Sequence, residues 1–390
     1  MTQAAAKQTP PATSSGSTMK ITLERAALLK TLGHVQSVVE RRNTIPILSN
    51  ILIRASGSSA TVTATDMDVE MNETMAANVG KPGEITISAH MLYDIVRKLP
   101  DDAQVSLERA DNSTQVTLKA GRSNFKLGTL PVEDFPQMRE DALAVRFQIP
   151  ATALRSMIDR TKFAISTEET RYYLNGIYLH TTKSNGKDVL RAVATDGHRL
   201  ARAEMDAPKG TTEMPAVIVP RKTVQELRKL LDETDDSVVI ELSPTKIRVT
   251  SGTVTLTSKL IDGTYPDYER VIPTGNDKVA TVNTKTFAAA VDRVATISTE
   301  KSRAVKLSVS KGQMVLAAQS PEAGSATDEL EIDYNDSKMD IGFNARYLLD
   351  VAQQITGETT RIVLADAGAP ALVEDTSDSS ALYVLMPMRV

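Results

Sequence analysis

The chain has 390 residues, with 45 Lys+Arg against 49 Asp+Glu and a formal net charge of −4. It contains no Cys, which excludes disulfides, thiolate nucleophiles, zinc fingers and iron–sulfur clusters, and no run approaches the ~18–20 apolar residues of a membrane span. The length allows about two or three domains. A cytoplasmic location fits, and the mild acidity argues against a protein that coats nucleic acid through its global charge.

Residues 1–18 (MTQAAAKQTPPATSSGST) are rich in Ala, Thr, Ser and Pro, with neither an apolar period nor the apolar region of a secretory signal. They are predicted to be a disordered N-terminal extension. From Met19 the chain repeats itself. A strand-like stretch running into an amphipathic helix begins at Met19 (MKITLERAALLKTLGHVQSVV) and again at Glu84 (EITISAHMLYDIVRKLP). The pair recurs at Arg146 (RFQIPATALRSMIDRTKFAIS) and Pro215 (PAVIVPRKTVQELRKLL), then at Ala280 (ATVNTKTFAAAVDRVATIS) and Met339 (MDIGFNARYLLDVAQQI). In the first helix Leu28, Leu32, Val35 and Val39 fall on one face of a 3.6-residue period. Alternating strands follow each helix; Thr253-Val254-Thr255-Leu256 has the pattern of an antiparallel strand with one covered face. The predicted fold is α+β: three similar domains over 19–144, 145–276 and 277–390, each built of two strand–helix–strands modules.

The small net charge hides an asymmetry. The six helical segments together carry +9, which leaves −13 for the rest of the chain. Solvated helix faces alone would give such a pattern; so would helices that share one positive inner surface facing a polyanion, with the sheets outside. Contact of that kind is salt-sensitive and indifferent to base sequence. Packed helices lie ~10 Å apart, so twelve around a circle leave a bore of roughly 28 Å and six only ~9 Å. A duplex about 20 Å across fits the first and not the second. If the repeats close into a ring, two chains are needed.

Five strings identify a family. RYYLNG at Arg171–Gly176, TDGHRLA at Thr195–Ala201, VPRKTVQEL at Val219–Leu227, SKLIDGTYPDYERVIP at Ser258–Pro273 and YVLMPMRV at Tyr383–Val390 resemble the bacterial DNA polymerase III beta subunits, the sliding clamps. The resemblance runs collinearly from Met19 to Val390. It implies a ring-shaped, head-to-tail homodimer around double-stranded DNA that tethers the replicative DNA polymerase catalytic subunit and is opened by a clamp loader complex. It also implies a hydrophobic pocket for short linear motifs of polymerases and repair proteins. The matching pocket positions are Leu174, Thr195, Gly197, His198, Arg199, Leu200, Pro266, Arg270 and Val271, walled by Val384, Met386, Pro387, Met388 and Arg389, with Pro370 at the edge and Tyr347 nearby. Flexible Met side chains suit a surface that repacks around varied peptides, and Arg199 and Arg270 are expected to offer hydrogen bonds at its rim. Without the resemblance, the C-terminal string reads as a last core strand.

For DNA, Arg42 and the pair Tyr172 and Tyr173 match family contacts, and His90 stands where some relatives carry Arg. Helix charge alone adds Lys222, Arg160 and Arg97. For the ring seam, TISTEKSR at Thr296–Arg303, centred on Ile297, resembles the family's apolar patch. Its partner surface is expected near GRSNFKL at Gly121–Leu127, with Arg122 and Lys126.

Catalysis finds little support. Asp196-Gly197-His198 holds an acid and a base, but neighbours in sequence rarely work as a pair. There is no GxSxG, HExxH or phosphate-binding GxxxxGK[ST], and the four His show no metal-ligand spacing. Asp66 and Asp68 are read as a strand-end turn equivalent to Thr195-Asp196, not as a metal site. No cofactor, metal, membrane contact or enzymatic activity is predicted. The alternative is a repeat scaffold without a DNA role, and a nuclease is a distant third.

Overall fold

A computed structural model of the chain describes residues 19–110, 113–139, 142–298 and 303–390. The expected extension at 1–18 lies outside them. Among the described residues there are six α-helices, each directly after a strand: α1 (Arg25–Val35), α2 (Ala89–Val96), α3 (Ala151–Lys162), α4 (Arg221–Leu231), α5 (Thr284–Ala295) and α6 (Ala345–Ala352). They pack in pairs, α1 on α2, α3 on α4 and α5 on α6. The starts are set locally. Pro150 and Pro220 precede α3 and α4, while Asn283 and Asn344 accept N–H bonds from Thr286 (3.0 Å) and Arg346 (2.9 Å) at the first turns of α5 and α6. One expectation shifts: α1 stops at Val35, and Val39 lies beyond it, buried in a turn whose N–H bonds Gln36 O at 3.1 Å.

The described residues form two compact units. The first comprises residues up to 139 together with 252–258. One of its antiparallel sheets runs in the order Asn78–Lys81, Met19–Glu24, Gln104–Arg109, Gln115–Ala120, Ser123–Gly128. In the other, residues 254–258 pair with 69–73, followed by Ser59–Thr65, Asn50–Ser56 and Gly83–Ser88. Leu28 and Leu32 of α1 and Leu92 and Val96 of α2 are buried in its interior.

The second unit holds residues 142–251 and 259–390. It takes in most of the second predicted domain and the third. Their strands share one eight-stranded antiparallel sheet: Val217–Pro220, Gly176–Ser184, Lys187–Thr195, Arg199–Asp206, Ala381–Leu385, Ala371–Asp375, Thr359–Leu364, Lys278–Asn283. The joint is the pairing of Leu200 with Val384 and Ala203 with Ala381. Alternation along these strands gives the sheet two apolar faces. Leu190, Ala192, Ala201 and Tyr383 point into the main core, which also takes in α3–α6 residues such as Leu154, Leu227, Phe287 and Leu348. Val193, Leu200, Leu382 and Val384 point the other way, into a smaller cluster with Leu174, Ile218, Tyr265 and Tyr268.

Candidate functional site

Three of the predicted pocket residues meet in the outer cluster, while Tyr347 packs against the main core. Leu174, Leu200 and Val384 are buried in it, and Tyr173, Ile261 and Ile272 pack against its edge. Above this floor, Val271 is 50% exposed and Met386 41%, and Pro266 is exposed. Large apolar groups held in solvent beside an apolar floor form a surface for another chain.

The turn carrying Thr195, Gly197 and His198 is built by its own side chains. Thr195 Oγ1 donates to Arg199 O (2.7 Å) and accepts from Gly197 N (3.1 Å); Asp196 Oδ1 accepts from the N–H groups of His198 (2.9 Å) and Arg199 (3.1 Å). Gly197 has φ +87°, the left-handed region, and a Cβ there would stand 2.7 Å from Arg171 Nη1. The same turn recurs in the first unit: Thr65 Oγ1 bonds Val69 O and Met67 N, and Asp66 Oδ1 accepts from Asp68 and Val69. Asp66 and Asp196 thus serve as turn acceptors, as the repeat implies. Among the described residues no group of three or more His, Asp or Glu side chains is placed to hold a metal ion.

Arg199 corrects the reading from sequence. It is not a rim donor: its side chain is 8% exposed and each nitrogen is engaged inside the protein. Nε donates to Asp196 Oδ2 (3.1 Å), Nη1 to Asp350 Oδ2 (2.6 Å) and Nη2 to Phe163 O (2.5 Å), with the guanidinium 4.2 Å from the Tyr347 ring centre and 5.1 Å from that of Phe163. It ties the Thr195–Arg199 turn to α6 beneath the site. Burial raises the pKa of half-buried Tyr347, so that ring stays neutral. Arg270, by contrast, is 84% exposed on its side chain and pairs with Asp267 at 2.7 Å, in keeping with a rim position.

The C-terminal string begins as a strand and continues past it. Residues to Leu385 belong to the shared sheet; then Met386 N bonds His198 O (2.9 Å) and Met388 N bonds Gly342 O (2.8 Å). Pro387, between these donors, has no N–H to leave unsatisfied. Arg389 is exposed, and Pro370 is half-buried with its carbonyl accepting from Asn276 (2.9 Å).

Sequence reasoning missed what holds the Tyr268–Val271 segment. Tyr268, two residues before Arg270, has its hydroxyl bonded by Arg191 Nη1 (2.9 Å) and lies 3.0 Å from His180 Nε2. Arg191, 4% exposed, also bonds Glu204 and Glu269 at 2.8 Å. Tyr178 stacks on Tyr265 with ring centres 4.6 Å apart, and burial lowers the pKa of His180, favouring the neutral ring. A cation at an alternating position in an otherwise apolar strand (Val189–Ala194) was the available signal.

The residues predicted to meet DNA divide. Arg42 and Tyr172 are exposed, and Tyr173 packs edge-on against Tyr172 (5.7 Å between ring centres). Lys222 is half-buried on the first turn of α4. Arg97 is exposed, next to Asp94 (3.1 Å) and over the Tyr93 ring. Two others are turned to internal work. His90 faces Gln36 Oε1 (3.2 Å) and Val39 O (3.0 Å) across the α1–α2 contact, and Arg160 donates to Asp378 and Ser380 at 2.6 Å each. At the predicted seam, Arg122 and Lys126 are exposed on or beside an edge strand and Ile297 is half-buried, while residues 299–302 of its string lie outside the described residues.

Comparison with known proteins decides the family. The models of the DNA polymerase III beta subunit match in order: N-terminal domain over 19–139, central domain over 148–267, C-terminal domain over 269–389. The chain belongs to the DNA polymerase III beta subunit family. The beta sliding clamp of Caulobacter vibrioides is 55% identical over 95% of this chain and all of its own length, and that of Escherichia coli K12 is 38% identical over the same shares. A crystal structure of the Caulobacter crescentus beta sliding clamp, with polyethylene glycol at a putative beta-motif tethering region, superimposes with a TM-score of 0.94 at 54% identity, over 96% of this chain and all of that one. The Bartonella birtlesii clamp bound to griselimycin gives 0.93 at 50%, with the same coverage. The chain is thus a DNA sliding clamp, a non-catalytic processivity subunit of a DNA polymerase, and the scaffold alternative is not supported. Among the described residues no helix is long and apolar enough to cross a membrane.

Proposed function

We propose that this clamp encircles duplex DNA as a head-to-tail homodimer of three-domain subunits, in the cytoplasm. In this reading it holds the replicative polymerase, the clamp loader and repair proteins through short linear peptides that dock on the outer cluster. The observation that carries the docking site is the apolar floor of Leu174, Leu200 and Val384 with Val271 and Met386 held in solvent beside it. A peptide burying two large apolar side chains there gains about 1.5–3 kcal/mol from each. Arg270 and His198 at the rim offer donors to its backbone or carboxylates.

The seam has its own support. Ser123–Gly128 ends one sheet with Arg122, Lys126 and Lys119 exposed, and Gly324–Glu331 ends another with Glu329 and Glu331 exposed. Unpaired edges of opposite charge are complementary between two copies. On the DNA side, Arg42, Tyr172, Tyr173, Lys222 and Arg97 remain the proposed contacts, without Arg160 and His90.

Two measurements test this. A clamp loaded on circular duplex DNA should stay bound until the circle is cut, and retention unchanged by cutting would reject encirclement. Calorimetric titration with griselimycin should show binding that Val271→Glu abolishes at unchanged melting temperature. Wild-type affinity in that variant would remove the cluster from the site.

A further inference from the structure

Gly342 is a residue whose identity its own strand does not require. It lies inside Met339–Asn344, between the buried Ile341 and Phe343, and pairs with Lys306 of the neighbouring strand. Its φ is outside the left-handed region, where glycine would be needed. A β-branched residue would suit the strand better, since glycine in a strand interior has no side chain to pack and marks the close approach of another backbone. That backbone is the C-terminal segment. Met388 forms an antiparallel bridge with Gly342, and a Cβ there would stand 2.6 Å from Met388 O and 2.8 Å from Val390 Cγ2, and overlap Val390 Cγ1. A heavy atom at such distances forces something to move. The strand is held by pairing on its other edge, whereas the segment after Leu385 is held by the Met386–His198 and Met388–Gly342 bonds.

We propose that Gly342 is a positioning residue for the peptide site: its bare Cα seats Met388 and Val390, and so sets the wall made by Met386–Arg389. The inference rests on the reading of the outer cluster as the docking site. No atom of Gly342 needs to touch a ligand. The C-terminal segment leaves the shared sheet at Leu385 and crosses to a different sheet, so its course depends on where it lands. Any side chain at 342 lifts the landing point and displaces Met388 and the segment before it.

The test uses the full chain and griselimycin as probe. Gly342→Ala should weaken binding about tenfold, equivalent to about 1.4 kcal/mol, with the melting temperature unchanged. Removing the clashing branch in the double variant Gly342→Ala, Val390→Gly should recover part of the loss, which a merely destabilised strand would not do. Met388→Pro deletes the N–H that bonds Gly342 O without touching the strand, and should weaken binding more than Met388→Ala, which removes the same side chain and keeps the N–H. Hydrogen exchange should show the Met388 amide losing protection in Gly342→Ala while amides of Ala304–Ser310 keep theirs. Wild-type affinity in both Gly342→Ala and Met388→Pro, or unchanged Met388 protection, would overturn the proposal. Deleting Met386–Val390 separates the two ideas: if deletion leaves affinity intact, the site reading fails; if deletion abolishes binding and Gly342→Ala does not, only the role of Gly342 fails.

Discussion

Removing the Arg199 side chain tests the architecture of the site most directly. In Arg199→Ala, Asp196 and Asp350 lose their shortest cationic contact, and the Phe163 carbonyl loses a donor. The two carboxylates are only 17% and 22% exposed, so water replaces the guanidinium poorly. Charged hydrogen bonds contribute about 1.5–3 kcal/mol each, and breaking a buried ion pair by removing one partner costs about 3–5 kcal/mol. Asp350 keeps Arg346 at 3.8 Å, and Asp196 keeps two backbone donors, which places the net cost near 4 kcal/mol. For a cooperative unit of about 240 residues that lowers the melting temperature by about 8–16 °C. Arg199→Lys should fall between, because an ammonium reaches one carboxylate and does not lie flat on the Tyr347 ring. Differential scanning calorimetry of the three proteins reads the effect. Were Arg199→Ala to melt within about 2 °C of wild type, Arg199 would be a surface donor after all, and the link between the Thr195–Arg199 turn and α6 would carry no energy.

Asp375 makes acid stability readable. Burial alone would raise its pKa, but bonds from Ser377, Gly357 and Thr356 outweigh that and hold it at about 2, below the ordinary 3.8. The ionised form is therefore favoured in the fold, and its contribution is complete above pH 4 and lost as pH falls toward 2. Asp375→Asn should lower stability at neutral pH and flatten the acid limb between pH 4 and 2; an unchanged limb by circular dichroism would contradict the assignment. On the DNA side, Arg42→Glu and Tyr172→Ala should shorten retention on circular DNA without altering griselimycin affinity, and Arg42→Glu should reduce the salt slope by about one. Loss of griselimycin binding instead would reverse the proposed division of labour.

Much of the fold is local, and so was open to a reading of residues. Each strand–helix unit announces itself by a change of apolar period, and the Thr-Asp turns close through bonds spanning two to four residues. The six modules, the family and the turn role of Asp66 follow from that. The pairing of Leu200 with Val384 does not, because it joins residues far apart in sequence and places the second and third predicted domains in one compact unit. The charge count was right in sum and incomplete in meaning. Arg160 and Arg228 on the basic helices α3 and α4 are committed to Asp378 and to Asp159 and Asp232, which a count of cations does not reveal.

Arg199 and Arg270 show the limit most plainly. Both lie in strings that identify the family, and chemically they are the same residue. One is sunk against Phe163, Tyr347 and Asp350, and the other stands in solvent. The difference lies in partners 36 and 151 residues away, brought together only when the sheet closes. Gly342 is the converse case: a residue with no chemistry of its own, given a task by the chain end that lands on it. By itself the sequence determined which segments form strands, helices and turns, because backbone preference and apolar period act within a few residues. Tertiary structure decided which polar groups remain available to a partner, because desolvation and pairing depend on neighbours that sequence order does not reveal.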